Sequence, residues 1–374
     1  MRIAINTRFL LKNRLEGIGR FTYEVSQRLA DRRPDDEFIF LFDRPFDSDF
    51  ITHANIKAVV IPPPARHPFL WYLWFEYAIP YALRKNKADV FISMDAYCSL
   101  RTKVPTLMVT HDIAHVHYRE QTPFLTGKYY HHFSRPFLRK AEQVVTVSHF
   151  YKQDIIQHYG IEASKISVAC NGVQPHFQPI DDEIKQTVRI KWSEGQAYFF
   201  YIGAIHPRKN IVRLIQAFDQ FKIRSNSEAK LLIAGRFAWQ TSGIKTAFDQ
   251  AQFKQDVHFL GYVSDKNLPD LIGAALALTY VSLFEGFGVP IIEAMQAGVA
   301  VICSNVSSMP EVGGNAALLV DPKDVEDIAF AMSSVYEKQA LRQSMIAKGK
   351  IHCQQFTWDK ATDVVENAMM KLSS

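Results

Sequence analysis

Short apolar runs alternate with amphipathic stretches along nearly the whole chain, and this alternation limits the possible folds more than any other feature. Residues 2–6, 38–42, 58–61, 89–92, 106–110, 143–147 and 165–168 are brief segments rich in Val, Ile, Phe and Thr. Segments of that length and composition read as strands, and helical stretches fall between several of them. Strands apolar on both faces suit a parallel sheet covered by helices. The pattern breaks at residues 178–196, where Pro179, Asp181, Asp182 and Glu183 open a polar stretch that ends at Glu194-Gly195. We read an interdomain linker with a short helix. The alternation restarts at 198–202, 230–234, 257–260, 275–280, 299–302 and 317–320. The expectation is α/β: two doubly wound, Rossmann-like domains, 1–175 and 176–355, followed by a terminal helix over 356–374. Ligands of such folds sit beyond the carboxyl ends of strands, so two facing domains imply a site in the interdomain cleft.

The chain of 374 residues is long enough for two such cores. A net charge of +5 permits an anionic ligand without calling for nucleic acid, and no nucleic-acid partner is expected. No apolar run reaches the roughly 18 residues of a membrane-spanning helix. Cys98, Cys170, Cys303 and Cys353 are scattered, which fits buried thiols in a reducing compartment and a cytoplasmic location.

Three glycine-bearing turns carry candidate chemistry. In the first, Glu285-Gly286-Phe287-Gly288-Val289-Pro290 leads into an apolar helix that carries Glu293 in its expected first turn and ends at Gly298. Amides at a helix start face an anion favourably, and the dipole supports it. Glu285 and Glu293, eight residues apart, suit hydroxyl groups rather than phosphate, so the pattern fits phosphate flanked by sugar. A loop with two solvated glutamates has the same spacing. The second turn follows a strand: Gly203-Ala204-Ile205-His206-Pro207-Arg208-Lys209-Asn210. Arg208 and Lys209 make a pyrophosphate clamp or a solvated basic loop, and Asn210 is placed to cap the next helix. The third, Leu15-Glu16-Gly17-Ile18-Gly19-Arg20, is expected as a loop before a helix running from Phe21 to about Ala30. A dinucleotide fingerprint would require a small residue where Thr22 stands, and Asp35, Asp36 and Glu37 precede the next strand instead of ending it. Both facts count against nicotinamide binding.

His111-Asp112 follows the 106–110 strand, where a histidine would face a ligand or serve as a satisfied structural residue. His115 and His117 follow, but no cysteine or acid at ligand spacing completes a metal set, so no metal is expected. Asp47-Ser48-Asp49 reads as turn chemistry. Ser148 and Asn171-Gly172-Val173 line strand ends or make turns. The stretch from His67 to Pro80 is the most aromatic in the chain, with Trp71 and Trp74, and Arg84, Lys85 and Lys87 follow it. That grouping fits either a packed helix or a peripheral membrane contact.

With these residues in hand, the chain resembles the retaining GT-B glycosyltransferases of family 4, the group 1 enzymes that include sucrose synthases and bacterial mannosyltransferases. The likeness rests on Glu285 to Glu293, Gly203 with Arg208-Lys209-Asn210, Asn171-Gly172-Val173, His111-Asp112, and Ser307-Ser308-Met309-Pro310-Glu311-Val312. It implies the GT-B fold, two Rossmann-like domains around a cleft, and transfer of a hexose from a nucleotide sugar to a glycan or lipid-linked acceptor. Glu293 would hold the ribose, and Arg208 and Lys209 the diphosphate. Glu285 and the Gly286-Phe287-Gly288 backbone would contact the donor sugar. Gly17 and Gly19 would approach the phosphates, Gly203 would belong to the donor site, and His111 would lie near the reacting carbon. The resemblance implies no metal and no other cofactor. GDP-mannose is the first expectation for the donor, with a UDP-hexose as the alternative. A location at the inner face of the membrane would fit a lipid-linked acceptor. A GT-B-shaped UDP-sugar epimerase and a non-catalytic nucleotide-sugar binder are the competing readings.

Overall fold

A computed structural model describes residues 1–12, 15, 17–238 and 241–372. The chain forms two compact units, Met1–Gly172 together with the segment from Thr357 onward, and Val173–Phe356.

The first unit holds seven parallel strands: β1 (Arg2–Asn6), β2 (Glu37–Phe42), β3 (Ile56–Val60), β4 (Val90–Ser93), β5 (Thr106–Thr110), β6 (Gln143–Thr146) and β7 (Ile166–Val168). Their order is β3-β2-β1-β4-β5-β6-β7. All residues of β4 and β5 are buried, as a sheet covered on both faces requires. The helix Trp358–Met370 belongs to this unit. Its Trp358 ring meets Phe21 edge to face, and Arg32 and Arg33 pair with its acids Asp359, Asp363 and Glu366.

The second unit holds six parallel strands: β8 (Tyr198–Ile202), β9 (Lys230–Ala234), β10 (Val257–Gly261), β11 (Ala277–Tyr280), β12 (Ala300–Ser304) and β13 (Leu318–Val320). Their order is β10-β9-β8-β11-β12-β13. In both sheets the connection reverses beside the first strand, between β1 and β4 and between β8 and β11. Loops on the two sides of such a reversal diverge and leave a crevice at the strand ends. The polar stretch ahead of β8 contains the helix Asp182–Ser193, capped by the Asp181 side chain on the Ile184 amide.

Two local expectations give way. The helix after β1 runs Gly17–Arg32, so Gly17 and Gly19 lie in its first turn and not in a preceding loop. A side chain at Gly19 would place its Cβ 2.6 Å from the Phe9 carbonyl oxygen, so this glycine is required by close backbone approach. Thr22 is buried one turn on, its hydroxyl donating to the Ile18 carbonyl. The aromatic stretch forms the helix Pro68–Leu73, a π-helical turn Trp74–Ala78 and the helix Ile79–Lys85. Pro80 has no N–H to give the Glu76 carbonyl, and the wider turn falls just before it. Trp74 is fully buried and donates to Ile61, while Trp71 donates to Ala65 and packs on Tyr97 and Tyr129. Neither tryptophan is the outward anchor that a membrane contact was expected to use. Phe69, Tyr77 and Tyr81 are the exposed aromatic residues of that segment.

Candidate functional site

The second unit concentrates the expected residues at the β8/β11 reversal. The loop after β8 contributes Gly203, His206, Arg208 and Lys209, and the loop after β11 contributes Glu285 to Gly288. The loops are tied together by the Leu283 amide on the Arg208 carbonyl at 2.8 Å. Lys209 Nζ donates to Glu285 Oε1 at 2.5 Å and lies 3.3 Å from the Tyr280 hydroxyl. Both partners are buried, with 8% and 7% of their surfaces exposed. Burial by itself would raise the Glu285 carboxyl, but the charges of Lys209 and then Arg208 outweigh it and hold it below the usual range. Two cations, Lys209 and Arg208, act on this one carboxylate. His206 adds no charge near neutral pH, because burial and the neighbouring cations push it down to about 4.

Gly203 makes this convergence possible. Its φ is +148°, and a Cβ there would lie 2.8 Å from the Tyr201 hydroxyl and 3.8 Å from Lys209 Cε. The loop of 285–287 is held from below by the neighbouring turn. The Glu285 amide donates to Ser307 Oγ, and Ser308 Oγ donates to the carbonyls of Glu285 and Phe287. The helix that follows spans Val289–Gln296, with Gly288 at its N-cap in the left-handed region. Gly288 has no side chain with which to cap that end. This helix start follows directly on the loop that brings Glu285 to Lys209, and a helix start favours an anion.

Two expected placements are corrected, those of Glu293 and Asn210. Glu293 is the fifth residue of its helix, one turn in, because the helix begins at Val289 and holds no acid in its first turn. Phe287 turns its ring into the core, 5.5 Å from Phe356, so only its backbone is available to a ligand. Lys209 is not part of a solvated basic loop, since it is buried and paired with Glu285. Asn210 does not cap the helix Ile211–Ser225. It sits at φ +61° and donates instead to the Val281 and Pro322 carbonyls, fastening three loops.

In the first unit, His111 follows β5, with Nε2 2.9 Å from the Met94 carbonyl and its ring edge-to-face with Phe21. Burial lowers its pKa against the opposing pull of that bond and of Asp112 and Asp95. Asp112 accepts the Ala114 amide and shapes the turn. Ser148 caps the helix His149–Tyr159, and Asp47 caps the short turn Ser48–Phe50. Asp36 pairs with the Met1 amino group and Arg33, which removes it from any ribose-binding role. His117 does not stand alone with His111 and His115: it meets Asp154 and His158, an acid and a histidine that its sequence neighbourhood does not supply.

Sequence reading missed Arg8, Asp95 and Tyr280. Arg8 and Asp95 form a buried ion pair at the β1/β4 reversal, with the guanidinium 4.5 Å from the Tyr97 ring centre. Each stands just past a strand end, the one signal that could have marked them. Tyr280 is the last residue of β11 and had been read only as strand.

Residues 182–352 match the glycosyl transferases group 1 family, and residues 15–177 match glycosyltransferase family 4. The chain is 30% identical over 376 residues to the O-antigen chain mannosyltransferase B of Escherichia coli, covering 96% of this chain and 97% of that protein. It is 29% identical over 289 residues to the O-antigen chain mannosyltransferase RfbU of Salmonella typhimurium, covering 76% of each. Sucrose-phosphate synthase from Thermosynechococcus elongatus has the same fold, with a TM-score of 0.79 over 99% of this chain and 98% of that one, at 17% identity. The chain belongs to the group 1, family 4 glycosyltransferases and has the GT-B fold. It is a glycosyltransferase, and no helix among the described residues is long and apolar enough to cross a membrane.

Proposed function

We propose that this enzyme transfers mannose from GDP-mannose to a growing glycan, with retention at the transferred carbon and without a metal in the donor site. The observation that carries the reading is the convergence of Arg208 and Lys209 on Glu285 at the β8/β11 reversal, set beside the start of the helix Val289–Gln296. A departing diphosphate develops negative charge, and fixed donors aimed at developing charge stabilise a transition state more than a ground state. Arg208, Lys209 and the leading amides supply such donors from the protein itself. The O-antigen mannosyltransferase relatives support mannose as the sugar.

In this reading the bond between the sugar carbon and the diphosphate oxygen breaks as the acceptor hydroxyl bonds to the same face of that carbon. The hydroxyl proton passes to the leaving phosphate. Glu285 is already held by Lys209 and is not assigned as a nucleophile. His111, kept neutral by burial, is assigned to the donor sugar. Glu293 is assigned to the ribose diol, and Gly17 and Gly19 to the phosphates. A lipid-linked glycan is the acceptor class that suits the exposed Phe69, Tyr77 and Tyr81 beside Arg84 and Lys85 at the membrane's inner face.

Calorimetric titration with free nucleoside diphosphates tests the donor assignment. GDP is expected to bind more tightly than UDP, and Glu293→Ala to weaken GDP binding without any sugar present. Equal GDP affinity of wild type and variant would remove the ribose role, and preferential UDP binding would replace the donor.

A further inference from the structure

The helix His149–Tyr159 carries Asp154 and His158 one turn apart, a spacing that places both on one face. His117 ends the short helix Ala114–His117 and reaches the same place. Its Nε2 lies 2.8 Å from Asp154 Oδ2 and 3.0 Å from Oδ1. His158 Nδ1 lies 2.9 Å from Asp154 Oδ1 and 3.0 Å from the Asp154 backbone oxygen. One buried carboxylate thus stands between two imidazole nitrogens, and the three ligand atoms lie within 4.8 Å of one another. Asp154 is 5% exposed, whereas both histidines are exposed, so an ion has a path in from solvent.

We propose that His117, Asp154 and His158 bind a divalent transition-metal ion of the zinc class. Two imidazoles and a carboxylate are a ligand set that zinc accepts, with a fourth position left for water. Ligand atoms about 2.1 Å from a tetrahedral ion stand roughly 3.4 Å apart, so each contact here must open by about 0.5 Å. Rotation of two exposed rings supplies that. The chemistry balances by proton release: the imidazole nitrogens now facing Asp154 bind the ion through their lone pairs, and any proton held there goes to water. The neighbouring residues fix the segment already, because His115 Nε2 meets the Tyr159 hydroxyl at 3.0 Å. An ion would therefore tie the stretch that follows His111 to the helix His149–Tyr159. This site lies outside the donor-binding corner, which belongs to the other unit.

The test is titration of the metal-stripped, tag-free full chain with Co²⁺, followed by its visible absorption. One equivalent is expected to give the intense bands of a low-coordinate ion, and Zn²⁺ should abolish them and raise the thermal midpoint. His117→Ala and His158→Ala replace exposed residues and are expected to weaken Co²⁺ binding by at least about 100-fold. Their far-UV circular dichroism and GDP affinity should match wild type, which separates loss of the ion from loss of fold or of donor binding. A wild-type spectrum identical to aqueous Co²⁺, or variants that bind as tightly as wild type, would overturn the proposal.

Discussion

Lys209→Ala would remove one member of a buried ion pair and leave the other. Glu285 stays among Tyr280, Ser307 and Ser308 with its carboxylate desolvated. Breaking such a pair from one side costs roughly 3–5 kcal/mol, most of it the uncompensated charge. Arg208 also acts on Glu285, so the expected loss lies at the low end, about 3 kcal/mol. The pH dependence carries the sharper test. In the wild type the Glu285 pKa is lowered, so its stabilising contribution is complete above the unfolded carboxyl value and fades only as pH falls through the still lower folded value. In the variant, burial is opposed by Arg208 and the Ser282 hydroxyl without Lys209, the folded pKa rises, and the carboxyl takes up a proton more readily. The variant's deficit should therefore shrink between pH 7.5 and pH 5.5, two values chosen for the assay to span roughly one to three units above the free carboxyl range. Urea denaturation of wild type, Lys209→Ala, Glu285→Gln and the double variant at both pH values closes the cycle. The expected coupling at the higher pH is on the order of 2 kcal/mol. Single effects that add within about 0.5 kcal/mol, or a Lys209→Ala deficit that is the same at both pH values, would refute the account of the pair. Under conditions where the variant stays folded, kcat should fall by about 10²–10³; a change confined to KM would mean that Lys209 binds ground state and transition state alike.

Initial rates should survive EDTA at temperatures well below unfolding, and His158→Ala should keep the wild-type rate; activity lost to chelation and restored by magnesium or manganese would put a metal back into the donor site. Liposome flotation at low salt should show binding to anionic vesicles that weakens in Tyr77→Ala/Tyr81→Ala and in Arg84→Gln/Lys85→Gln, whereas flotation unchanged by these substitutions would exclude this face as the contact.

The strands were legible in the sequence because each is a local object. A run such as Phe38 to Phe42 is too short for a buried helix and too apolar for a loop, whatever surrounds it. The start of the helix at Val289 was nearly legible for the same reason, since Gly288 and Pro290 set the backbone angles on the spot. Glu293 was misplaced by one turn because helix starts are set within a residue or two by capping geometry that spacing does not reveal. Asn210 was misread because its side chain is claimed by carbonyls from two other loops, Val281 and Pro322.

The sequence by itself determined the α/β class and the two glycine turns after β8 and β11, which depend on composition and spacing within a few dozen residues, and its motifs carried the resemblance to the family. Tertiary structure alone decided that Lys209 meets Glu285. Strand β8 pairs with β11, across two intervening strands of sequence, and that pairing brings the two loops to one corner. It also decided that Trp74 faces inward and that His117 joins Asp154 and His158. An apolar or ligand-bearing side chain shows its kind in the sequence. Its direction and its partners come from which elements pack together, and that is fixed by the non-local order of strands in the sheet.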